Sequence, residues 1–165
     1  LNAMVTLRCT RPLLARLPLP VTDTQLVSTA QLGDWYATLL RYRGPRWVMC
    51  TNERTLLTVF VAGAQLDTLP QRFRAAVLDL LSLVSVPQAA LAAEADALST
   101  IAIARTVSRS ILASMNDLAR HAKFQLSRFP HATPLELAAP LLELPLGRMG
   151  FHNSLEAATL AFGAV

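Results

Sequence analysis

Lysine is nearly absent from this chain: Lys123 is the single one among 165 residues, so 14 of the 15 basic side chains are arginines. Against 11 acidic residues the formal charge is only +4. That excess is small beside the clustered stripe of a strong nucleic-acid binder, which weighs against nucleic acid as the first choice of partner. The arginine bias itself suits bidentate recognition of phosphate or carboxylate. Cysteine is scarce as well. Cys9 and Cys50 lie far apart and match no CxxC spacing, which leaves two buried, reduced thiols of a cytoplasmic protein, or one disulfide between them. The six glycines contain neither GxGxxG nor GxxxxGK[ST], so a dinucleotide fingerprint and a P-loop are both excluded. His121, His131 and His152 are the only histidines, and no two stand three or four residues apart, the spacing at which a helix offers two ligands to one metal. Neither metal nor cofactor is expected. Every apolar stretch is interrupted by charge before the ~20 residues a bilayer requires, and the start carries no secretory pattern. The expectation is a cytoplasmic protein with no membrane contact. Leu1, Asn2 and Ala3 ahead of Met4 read as residues left by expression cloning.

What the chain does have is apolar surface: 53% of its residues are hydrophobic and 16% charged, enough for one compact core over residues 4–165. Val5–Thr10 alternates apolar and polar residues as a half-buried strand does. Pro12 opens a short helical segment through Leu13, Leu14 and Leu17, which Pro18 and Pro20 stop, and residues 21–31 read as a loop. Three β-rich runs follow, Trp35–Arg43, Trp47–Asn52 and Leu56–Val61, with turn chemistry between them that favours an antiparallel meander.

Helices dominate after Thr68. Thr68-Leu69-Pro70-Gln71 and Ser85-Val86-Pro87-Gln88 both look like helix starts with a capping hydroxyl, the second opening an alanine-rich helix packed through Leu91, Ala95 and Leu98. Ile101–Thr106 is a short return strand. A long helix is predicted over 108–129, with Ile111, Leu112, Met115, Leu118, Ala119, Ala122, Leu126 and Phe129 inward. Capping signatures at Thr133 and Asn153 start two short final helices. The predicted fold is α+β: a small, mainly antiparallel sheet of four or five strands packed with helices.

Several polar groupings are candidates for chemistry. Ser110, Ser114, Asp117 and His121 share one stripe of the long helix, but a nucleophile, base and orienting acid strung along one helix rarely converge as a triad does. Asn52-Glu53-Arg54-Thr55 between strands, and Arg105 to Ser110 running into Asn116 and Asp117, have a bland reading as turn and helix-cap networks. Their sharper reading is an anion site: Arg54, Arg105 and Arg109 as ligands, Asn52 and Asn116 as supporting donors, and Glu53 or Asp117 as the acid or base of an enzyme. A third group, Arg41, Arg43 and Arg46, surrounds a hairpin turn with Tyr42 and Trp47 interleaved. Aromatics between arginines can stack bases while the cations meet a nucleic-acid backbone. An edge strand kept soluble by charge would look the same.

The opening Met4–Thr10, Leu32–Ala37, Asn52-Glu53-Arg54-Thr55-Leu56-Leu57 and Ser108–Asp117, with its SRSxLxSMND pattern, resemble a family of small bacterial proteins known only as a domain of unknown function. The resemblance runs from Met4 to the C-terminal helix. It implies no activity, cofactor or catalytic residue. The family has an aromatic after its Asn-Asp pair where this chain has Leu118.

The first functional reading is a non-catalytic binding or regulatory module, because no nucleophile, metal or cofactor set stands out. The second is an enzyme or binder acting on an anionic ligand or nucleic acid through arginines. An apolar surplus in so short a chain also suggests self-association as a homodimer.

Overall fold

The computed structural model describes residues 3–22, 26–44, 46–150 and 152–163. Among them five strands form one sheet: β1 (Val5–Cys9), β2 (Trp35–Arg41), β3 (Arg46–Asn52), β4 (Thr58–Ala62) and β5 (Ile101–Arg105), in the order β4-β3-β2-β1-β5. The helices are α1 (Arg11–Leu14), α2 (Leu69–Leu81), α3 (Gln88–Ala97), α4 (Arg109–Arg128), α5 (Pro134–Ala138) and α6 (Ser154–Ala161). The α+β class is as expected, and β2, β3 and β4 form the antiparallel meander. The sheet as a whole is mixed, because β1 pairs in parallel with both β2 and β5.

That insertion explains why β1 is buried along its whole length rather than on one face. Its register brings Val5, Leu7 and Cys9 into line with Trp35, Ala37, Val48, Cys50 and Ile103 on one side of the pleat. There α2 packs, with Phe73 edge-on to Trp35 at 5.3 Å and 77°. Thr6 and Arg8 point the other way and are equally buried. The segment from Leu26 to Asp34 covers them: Ser28 Oγ accepts the Thr6 N–H at 2.7 Å, and the Leu26 carbonyl accepts from Arg8 at 3.0 Å. Tyr36, Leu40 and Met49 share this second face with the start and middle of α4.

Boundaries depart from expectation where backbone conformation intervenes. β2 ends at Arg41 rather than 43, since Arg43 and Gly44 take φ of 27° and 94° to make the turn. β4 begins at Thr58 rather than Leu56, because Leu56 sits in the left-handed region at φ 58° and closes the turn through its N–H to the Asn52 carbonyl. Ser108, Thr133 and Asn153 cap their helices, Thr133 in a full capping box. Thr68 and Ser85 do not cap. The Thr68 hydroxyl instead takes a hydrogen bond from Arg72 Nε, and Pro87 occupies the position before α3. Phe129, expected inside, is 56% exposed: it lies past the end of α4 with φ −130° and no longer follows the helical stripe.

Cys9 and Cys50 are both buried and free. Ala37 pairs with Cys9 on one side and Cys50 on the other, so the two lie two strands apart, about 9.5 Å between Cα atoms. A disulfide needs about 7 Å or less, which decides for separate thiols.

Candidate functional site

The Asn52–Thr55 turn is a hydrogen-bond hub. Asn52 is fully buried; its side-chain amide donates to the carbonyls of Leu32 (2.8 Å) and Asp34 (3.2 Å), and its Oδ1 accepts from the N–H groups of Arg54 and Thr55 and from the Thr55 hydroxyl. Glu53 Oε1 accepts the Asp34 N–H, and Arg54 Nη1 donates to the Gln31 carbonyl at 2.7 Å. Gly33, at φ 74°, passes so close that a Cβ there would stand 2.7 Å from Glu53 Oε1 and 2.9 Å from Arg54 Nε. Only glycine fits. These residues clamp the 31–34 segment onto the β3–β4 turn.

Three residues that sequence reasoning missed, Arg8, Asp34 and Glu94, complete the clamp. Arg8 and Asp34 form a buried ion pair at 2.6 Å. Glu94 of α3, 1% exposed, accepts the Leu32 N–H through Oε1 at 3.1 Å, while its Oε2 has no hydrogen-bond partner among the described residues. Burial raises the Glu94 pKa, opposed by the backbone N–H groups it faces and by the Arg54 charge. A glutamate within an alanine-rich helix carries no sequence signal of burial; only the packing of α3 under residues 31–32 reveals it.

The second motif disperses along α4. Ser108 Oγ accepts the Ile111 N–H, Ser114 donates to the Ser110 carbonyl, and Asp117 pairs with exposed Arg120. Arg105 offers its carbonyl to Arg8 Nη1, and its side chain, like that of Arg109, is exposed. No hydrogen bond or ion pair among the described residues joins Arg54 to Arg105 or Arg109. The link between the two motifs is Tyr36: burial raises its phenol pKa, hydrogen bonding to the Val107 and Ser108 backbone and the Arg8 charge oppose the shift, and the Glu53 carboxylate reinforces it.

The third group converges. Arg41 and Arg46 are directly opposite across β2 and β3, a like-charge pairing that is unfavourable by itself. Arg16, just beyond α1, joins them: its guanidinium is held below its usual pKa by the charge of Arg46, then by burial, then by the charge of Arg41. Lys123 and Asn116 of α4 line a groove of about 460 Å³ with Arg41, Thr38 and Pro12. This groove exists because β1 stops at Cys9, leaving residues 38–41 of β2 without a strand neighbour on that side. Among the described residues no carboxylate forms an ion pair with Arg16, Arg41, Arg43, Arg46 or Lys123. Further along α4, at the same hairpin end, Arg43 stacks on Tyr42 at 5.5 Å, and Tyr42 and Trp47 border a smaller groove of about 180 Å³ closed by Leu126, Ser127 and Pro130. Arg16 and Lys123 were invisible as site residues in the sequence, since nothing in their spacing links them to the hairpin.

An apolar groove of about 290 Å³ also lies beside β4 between α2 and α5. Among the described residues no group of three His, Cys, Asp or Glu side chains could hold a metal ion. None of their helices is long and apolar enough to cross a membrane.

The architecture is thus an α+β domain with a mixed five-stranded sheet, a buried polar clamp and a cationic hairpin end. The chain belongs to the family described as Domain of unknown function (DUF6933), whose model matches residues 6–157. A comparison with curated proteins finds none that matches.

Proposed function

We propose that this protein is a non-catalytic binding module for phosphate-bearing ligands, which it takes at the groove between α1, β2 and α4. One observation carries the reading: Arg16, Arg41, Arg46 and Lys123, from four separate stretches of chain, are gathered at one end of the sheet with no acid among the described residues to pair with them. Like charges brought together in this way oppose folding, and an anionic ligand turns that repulsion into binding energy. Asn116 adds a neutral side-chain amide. The acids considered for catalysis are engaged elsewhere, Glu53 with the Asp34 N–H and Asp117 with Arg120, so no acid or base of that pair serves the groove.

Titration calorimetry with tripolyphosphate tests the reading. Tight binding at 20 mM salt, falling steeply as salt rises and weakened at least tenfold by Arg41→Glu, is expected. An affinity unchanged in Arg41→Glu, with the variant folded by circular dichroism, overturns it.

The buried free thiols of Cys9 and Cys50 suit a reducing compartment and support a cytoplasmic location in a bacterial cell. Self-association is the partner proposal supported by Leu160 of α6, 78% exposed; light scattering of Leu160→Ser against the parent chain tests it.

A further inference from the structure

The two sides of the β2–β3 hairpin end differ in a way that a simple phosphate site does not require. Side chains alternate along the strands, so Arg41 and Arg46 face one side while Tyr42 and Trp47 face the other. Tyr42 and Trp47 are only half-buried, and the groove they border holds about 180 Å³, with the Arg43 guanidinium over the Tyr42 ring. Free phosphate or a phosphorylated metabolite would use the cations and leave this aromatic groove idle. An acidic protein surface or an anionic membrane would do the same.

We infer that the ligand is single-stranded nucleic acid, one base of which enters the groove between Tyr42 and Trp47 while its phosphates run over Arg41, Arg46 and Arg16. A duplex keeps its bases stacked inside and has none to offer. A single strand presents a polyanion with flat π-faces, which aromatic side chains and arginine planes both receive. Sequence preference is weak, since every base offers a π-face to stack on the aromatic rings. The inference rests on the reading of the arginines as phosphate ligands, and it adds the source of the phosphate.

Trp47 provides the test, because the chain's other tryptophan, Trp35, is fully buried in the core and supplies a constant background. Tryptophan emission and anisotropy are followed during titration with a thymidine 20-mer, and with an abasic 20-mer of equal charge. The expected result is quenching by the thymidine strand and at least fivefold tighter binding of it than of the abasic strand, as one stacked base requires. Three phosphate contacts, at Arg41, Arg46 and Arg16, give a log–log salt slope of about −2. Tyr42→Leu, which keeps apolar bulk but removes the π-face, brings the thymidine strand down to the abasic affinity. Equal affinities with unchanged emission would overturn the nucleic-acid inference while leaving the phosphate reading intact. Failure of both strands and of tripolyphosphate would remove both. Tighter binding to vesicles containing phosphatidylglycerol than to the thymidine strand would also overturn it.

Discussion

Arg8 on β1 donates its Nε–H to Asp34 Oδ2 at 2.6 Å, and the two side chains are only 3% and 5% exposed. Around that bond Arg8 also donates to the carbonyls of Arg105 and Leu26, and Asp34 Oδ1 accepts the Ser28 N–H. One ion pair therefore ties β1 to the end of β5, to the 26–28 segment and to the start of β2. Asp34→Ala removes the carboxylate from this buried pair, and the expected cost is about 3–5 kcal/mol by urea unfolding. A loss below about 1 kcal/mol, the value of a solvent-exposed pair, would show that water reaches the site.

Glu94 makes stability depend on pH. Its folded pKa is raised, chiefly by burial, so the folded state holds the proton that the unfolded chain releases near pH 4.5. The contribution is fully present below that value and is lost as pH rises through the folded pKa. The urea midpoint of the parent chain minus that of Glu94→Gln should fall as pH rises above about 4.5. A difference that stays constant would mean the carboxyl ionises normally.

The thiols should be inert. Burial pushes Cys9 up to about 12 and Cys50 well above its usual value, the latter also raised by Cys9, and thiolate is the reactive form. A thiol reagent should label neither cysteine in the native protein and both after unfolding, with no intramolecular disulfide under oxidising conditions. Because the unfolded thiols ionise near pH 9 while the folded ones stay protonated, stability should drop as pH rises above 9. Labelling of the native protein at pH 8 would contradict the burial.

Repulsion at the hairpin end predicts an unusual sign. Arg46→Gln removes one of the like charges facing Arg41 and Arg16, so it should leave the urea midpoint unchanged or raise it while weakening tripolyphosphate binding. A lowered midpoint together with unchanged binding would make Arg46 a structural residue.

Much of the architecture was legible because it follows from local periodicity and punctuation. The meander, α2, α4 and the caps at Ser108, Thr133 and Asn153 all lie where apolar spacing and capping chemistry put them. The site was less legible. Asn52, Glu53 and Arg54 stood out in the sequence as a polar turn, but their partners, the backbone of residues 31–34 and, near it, the Arg8–Asp34 pair, are distant in sequence. Arg41 and Asn116 belonged to separate candidate groups, and the structure brings both to one groove.

The sequence alone determined the α+β class, the number and kind of its main elements, and a surface chemistry dominated by arginine, because each depends on composition or on neighbours a few residues away. Only the tertiary structure decided that β1 lies between β2 and β5, that its polar side is as buried as its apolar one, and that Ala37 separates the two cysteines. It also decided which arginines satisfy the interior and which gather at the hairpin end. Strand order and the meeting of distant side chains are set by packing of the whole chain, and no local pattern encodes them.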